Sequence, residues 1–209
     1  MNEKNFWALR EYVLEVLEKG LPRNLYYHRI GHTRDYVLSF AEVLGKSEGI
    51  SNKDFLLLKT AALIHEVGFL EEYFDNEKIA LKFAEDLLPR FGYLPYEVAR
   101  IEEIIFATKL EEIDGKKVQN PDSQDILQKI ICDADLGYLG ERKFFVISEN
   151  LKRELNEHGS HWDIPSWMEK SLEFQKNHSY FTHSARYLRE NGKKENIKNL
   201  EGLIGLEDN

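Results

Sequence analysis

The chain has 209 residues, with 28 Lys+Arg against 37 Asp+Glu, a formal net charge of −9 and 42% hydrophobic residues. That length suits one domain whose core needs no disulfide or structural metal, and the lone Cys132 excludes a disulfide framework and any cysteine-based zinc site. The acidic balance argues against a sequence-independent grip on nucleic acid or anionic lipid. No apolar run approaches the roughly 20 residues that span a bilayer, so the expectation is a cytoplasmic protein with neither nucleic acid nor membrane as partner.

Apolar spacing predicts helices almost throughout. Phe6, Leu9, Val13, Val16 and Leu17 form one face of a first helix, closed by Gly20, Leu21 and Pro22. A second is expected from about Gly31 to Leu44, with Tyr36, Val37, Phe40, Val43 and Leu44 inward. Ser51 and Asp54 resemble a capping box opening a third, Phe55 to His65. Asn76 is the expected cap of a fourth helix ending near Phe91, and Pro95 the first-turn proline of a fifth, about 95–107.

Lys109 to Ser123, with Asp, Gly, Lys, Asn and Pro, reads as the longest loop, and Asp122 as the cap of a helix into Ile131. Further helices are expected at Glu141–Glu157, Pro165–Asn177 and Phe181–Arg189, with a short one at the C-terminus. No alternating run demands a sheet. The predicted class is all-α, with about nine helices in a single domain, 1–209.

Several ionisable residues lie on or beside these apolar elements. His28 and His32 are four apart, and on a helix would share a face. His65 ends the run Ala61-Ala62-Leu63-Ile64 and precedes Glu66, while Asp133 and Asp135 follow Ile130-Ile131-Cys132. Ionisable groups beside apolar segments need partners, because desolvating a lone charge is costly. A metal ion is one partner that serves all of them. Imidazole mixed with carboxylate suits Mn, Fe, Co, Ni or Zn better than Ca, which prefers oxygen throughout.

Taken in order, Tyr27-His28-Arg29-Ile30-Gly31-His32, then Ile64-His65-Glu66-Val67-Gly68, then Asp133-Ala134-Asp135-Leu136 resemble the H…HD…D pattern of HD-domain metal-dependent phosphohydrolases. The three motifs span about residues 26–140, and helices 141–209 follow. The tail Asn177-His178-Ser179-Tyr180-Phe181-Thr182 and Ala185-Arg186 more loosely resembles a small bacterial subgroup. The resemblance implies a helical HD-type fold and a divalent transition metal held by His32, His65, Glu66 and Asp135. It implies hydrolysis of a phosphomonoester or phosphodiester, of a nucleotide or another small phosphate ester, by metal-activated water.

Glu66 departs from the Asp of the family's name and is one methylene longer. It can reach the ion, bind in another mode, or miss it. His28 falls where HD-type phosphodiesterases keep a general acid, and Lys109 is positioned to hold a phosphate or simply to be a solvated loop lysine. Asn76-Glu77 and Thr108-Lys109 offer no histidine for a second ion, so one metal is expected. Asp133 is a candidate to support a ligand, or an acid at a helix end. His158, His161, Trp162 and Trp167 read as a helix junction rather than an aromatic lid. His178 and His183 are expected in the core, Tyr26 and Tyr27 at the pocket mouth or anchoring the loop, and Cys132 as an inert buried thiol. The competing class is a non-catalytic module binding a metal or ligand, in which Glu66 marks relaxed chemistry.

Overall fold

The computed structural model describes residues 3–207; Met1, Asn2, Asp208 and Asn209 of the expected domain lie outside them. In chain order the helices are α1 (Glu3–Gly20), α2 (Leu38–Ser47), α3 (Asn52–Ile64), α4 (Asn76–Leu87), α5 (Pro95–Phe106), α6 (Ile126–Asp135), α7 (Phe144–Glu157), α8 (Ile164–Asn177) and α9 (His183–Glu207). A π-helical turn, His32–Val37, leads into α2, and 3-10 turns occur at Val67–Leu70, Leu88–Phe91 and Leu136–Gly140. Two short strands, β1 (Leu110–Ile113) and β2 (Lys116–Gln119), pair antiparallel. The class is all-α, as expected, and no described helix is long and apolar enough to cross a membrane.

α3 is the axis. The Ser51 hydroxyl accepts from the Asp54 backbone N–H at 3.1 Å and starts the helix. Every residue from Leu57 to Ile64 is buried. A helix buried on all sides must be enclosed by others, and α1, α2, α5 and α6 surround it. Its C-terminal end, with His65 and Glu66, therefore emerges inside the protein. A second apolar cluster (Tyr27, Leu136, Tyr138, Leu139, Phe144 and Leu200) joins the 136–140 turn to α7 and α9, with Leu151 and Phe174 packed against it.

Several elements differ from the sequence-based expectation. The Lys109–Ser123 segment contains a hairpin: Ile113 pairs with Lys116, leaving Asp114-Gly115 as a two-residue turn with φ of 51° and 74°. Asp-Gly is the dipeptide that tolerates positive φ at both positions, and four-residue strands are too short for alternation to reveal them. Asp125, not Asp122, caps α6, accepting from the Leu127 and Gln128 backbone N–H groups. Asn76 is the first residue of α4 rather than its cap, and α4 gives way to a 3-10 turn at Leu88.

The two expected C-terminal helices are one, because Gly192 lets α9 cross the 136–140 turn: a Cβ there would lie 2.2 Å from the Gly140 carbonyl. Tyr36 and Val43 face outward, while Val37, Phe40 and Leu44 point in. His28 lies in a bend between α1 and the π turn and does not share a helix face with His32.

Candidate metal centre and cavity

Three elements converge on one buried point. The π turn supplies His32, the end of α3 supplies His65 with Glu66 after it, and the last residue of α6 is Asp135. Single π turns of this kind often occur at functional sites. The ligand atoms of the four residues all lie within 4.8 Å of one another. His32 Nε2 is 3.2 Å from both Glu66 Oε1 and Asp135 Oδ1. Glu66, despite its extra methylene, therefore places its carboxylate in the cluster.

The chemistry of the donor set fits a cation. His65 Nδ1–H donates to the Ala62 carbonyl at 2.9 Å, which fixes the tautomer and leaves Nε2 as a bare acceptor. That Nε2 is buried without a hydrogen-bond partner, its nearest carboxylate oxygens 3.8 Å away. Two carboxylates and two imidazoles around an orphaned lone pair form a site that a borderline divalent ion completes. Burial works against the Asp135 carboxylate, but the hydrogen bond from His32 Nε2 above all outweighs it and holds its pKa far below the usual range.

Neighbouring groups hold the ligands in place. Glu66 Oε2 accepts from the Thr33 hydroxyl at 3.1 Å. Asp135 Oδ2 accepts from Gln119 Nε2 at 2.7 Å, and the same amide donates to the Thr108 carbonyl at 2.9 Å. The hairpin thus serves the site through its last residue. Gln119 went unnoticed in the sequence because the hairpin did.

His28 stands beside the cluster, with Nε2 3.7 Å from Glu66 Oε1 and its ring stacked on Phe69 at 4.3 Å. Its Nδ1 bonds Glu154 Oε1. Glu154 is fully buried, and Oε2 accepts from the Tyr27 and His28 backbone N–H groups at 2.8 and 3.0 Å, while the Tyr73 hydroxyl donates to Oε1 at 3.2 Å. Burial disfavours the charged His28 ring, yet Glu66 and Glu154 together raise its pKa above the ordinary value. Glu154 carried a signal: in α7 it falls on the inward series Phe144, Ile147, Leu151, where a charge is out of place.

Lys109 lines the same cavity but is already paired, Nζ donating to Asp75 Oδ1 at 2.8 Å. Hydrogen bonds from Lys109 and Lys78 lower the Asp75 carboxyl to about 2. Asp133 does not support a ligand. It accepts from the Phe181 and Thr182 backbone N–H groups and the Thr182 hydroxyl at 2.7–2.8 Å, tying α9's entrance to α6. His183 is exposed, whereas His178 and Cys132 are buried. Tyr27 lines the cavity, while Tyr26 lies under the Arg153 guanidinium, 3.7 Å from its ring centroid. His158 stacks on Tyr73 at 3.6 Å, and both Trp162 and Trp167 are cavity walls.

No protein-family model matches the chain, and no curated protein matches it by sequence. Among solved structures it is similar to a predicted HD superfamily hydrolase from an uncultured Thermotogales bacterium, with TM-score 0.62 and 18% identity over 98% of each chain. It is also similar to a protein from Lactobacillus plantarum, with TM-score 0.70 and 16% identity over 98% of this chain and 97% of that one. With its His/Glu/Asp cluster at the junction of π turn, α3 and α6, the chain has the HD-type helical fold.

Proposed function

We propose that the protein is a metal-dependent hydrolase of the phosphorus–oxygen bond in a small phosphate ester, with one divalent transition ion held by His32, His65, Glu66 and Asp135. The observation that carries this reading is the bare, buried Nε2 of His65 facing two carboxylates in a cavity of about 470 Å³. An ion held by these four residues would supply Lewis acidity toward a water and a phosphoryl oxygen. Asp135 and Glu66 supply the negative charge that offsets the cation, and Gln119 and Thr33 keep their second oxygens from swinging away.

His28 is the proton donor to the leaving oxygen. Glu154 anchors the ring at Nδ1, so Nε2 is the atom directed toward Glu66 and the cluster. Lys109 exchanges Asp75 for the substrate phosphate at the mouth. The rings of Tyr27, Phe69 and Tyr73 line the cavity around His28.

Metal content by plasma mass spectrometry tests the centre directly. Wild type dialysed against Mn, Fe, Co, Ni or Zn is expected to hold about one equivalent, His65→Ala none, and His28→Ala close to wild type. A fully metallated His65→Ala protein removes the site as drawn. Metal retained without turnover of any phosphate ester leaves the HD-fold binding module as the reading.

A further inference from the structure

The cavity continues well beyond the metal cluster, and its walls change character. Tyr27 packs against His32 with ring centroids 4.5 Å apart and against Tyr138 at 5.3 Å, and Tyr138 lies parallel to Phe144 at 6.3 Å. This line of rings leads from the ligands into the second apolar cluster. There Leu139, Leu151, Phe174 and Trp167 complete the lining.

Three of the polar side chains in this part are bonded to one another. Trp167 Nε1–H donates to Ser148 Oγ at 2.8 Å, and Ser148 Oγ lies 3.4 Å from Ser171 Oγ. That bond also locks the Trp167 indole against the chamber. Most of the surface in this part is apolar, so a ring entering it removes apolar area from water.

The charges point the same way. Three lysines, Lys109, Lys117 and Lys170, line the cavity against four carboxylates, Glu66, Asp75, Glu77 and Asp135, and no arginine does. Two of the three lysines are paired, Lys109 with Asp75 and Lys170 with Glu173 at 2.9 Å. Together with one divalent ion these groups carry about +1, so a single phosphoryl group at about −2 lies closer to balance than a diphosphate or triphosphate. Resting on the hydrolase reading above, we propose that the substrate is a monophosphate ester of an apolar, aromatic alcohol whose ring occupies the chamber between the 136–140 turn, α7 and α8.

Calorimetric titration of the full chain loaded with Mn²⁺ tests this with four probes: methylphosphonate, 1-naphthylmethylphosphonate, a nucleoside 5′-phosphonate and 1-naphthol. The naphthyl phosphonate is expected to bind about tenfold or more tightly than either other phosphonate, since burying a ring removes a large apolar area from water. Leu151→Trp, which fills the chamber, should bring the naphthyl-to-methyl ratio close to unity. Leu155→Phe is a milder intrusion from the same helix and serves if the first variant does not fold.

Equal affinities for the naphthyl and methyl probes, or tighter binding of the nucleoside, overturn the proposal and leave the hydrolase reading intact. Binding of naphthol that Leu151→Trp abolishes, with no phosphonate binding at all, supports an apolar chamber and overturns the phosphate chemistry instead. Absence of binding by all four probes overturns both.

Discussion

Gln119 shows how much depends on one side chain at the residue scale. Its amide is the donor that holds Asp135 Oδ2, and a hydrocarbon of similar size cannot replace it. Gln119→Leu is therefore expected to weaken metal binding by about 10–100-fold, the range typical for loss of a group that orients a ligand. Competition with a chelator of known affinity reads this directly, and an unchanged affinity would show that Asp135 is oriented by its backbone alone. His178 gives a second case, remote from the cluster. Burial first, and the neighbouring Lys193 ammonium second, lower its pKa to about 3, so the folded protein keeps the ring neutral. The unfolded chain takes up a proton near pH 6.5, so stability from this group is complete above that pH and is lost as pH falls from 6.5 toward 3. The slope from one such group is at most about 1.4 kcal/mol per pH unit. Urea midpoints between pH 4 and 7 should fall more steeply for wild type than for His178→Phe; parallel curves would refute the assignment.

Elements place these residues through a few close approaches. The 3-10 turn after Glu66 packs so tightly on the start of α4 that a Cβ on Gly68 would lie 1.9 Å from the Asn76 carbonyl oxygen. Gly68→Ala must push that turn away, and overpacking of this kind costs about 1–3 kcal/mol or more. The turn carries Glu66 with it, so a lower melting temperature and weaker metal binding should appear together. A destabilised variant with wild-type metal affinity would show that the cluster tolerates movement of the turn. The π turn acts in the same way for His32, whose neighbour Thr33 reaches Glu66 only because both are turned inward. The hairpin, with its Asp114-Gly115 turn, completes the enclosure by delivering Gln119.

For the whole molecule, the cluster ties α3 and α6 to the π turn ahead of α2, elements distant in the chain, across a point where two carboxylates face one another. A ligand that binds only the folded state stabilises it by about 2.7 kcal/mol at a hundred times its dissociation constant. Added Mn²⁺ or Zn²⁺ should accordingly raise the melting temperature of wild type and leave that of His65→Ala where it was. A rise of equal size in both proteins would place the ion elsewhere.

Much of this architecture is legible in the chain itself. The helical class follows from apolar spacing, because burial of one face is a local property that repeats every 3.6 residues. The start of α3 at Ser51 and the first-turn proline of α5 are likewise local chemistry. His32, His65, Glu66 and Asp135 stood out because ionisable groups beside apolar runs are costly without partners. Partners themselves are a different matter. That Glu154 anchors His28 across 126 residues, that Gln119 holds Asp135 and that Asp133 ties down Phe181 and Thr182 depend on contacts between segments far apart in the chain. The same holds for the crossing that makes α9 continuous and for the ring-lined chamber behind the metal cluster. Spacing along a chain encodes which face of an element is apolar, whereas only the packing of elements decides which polar groups meet there.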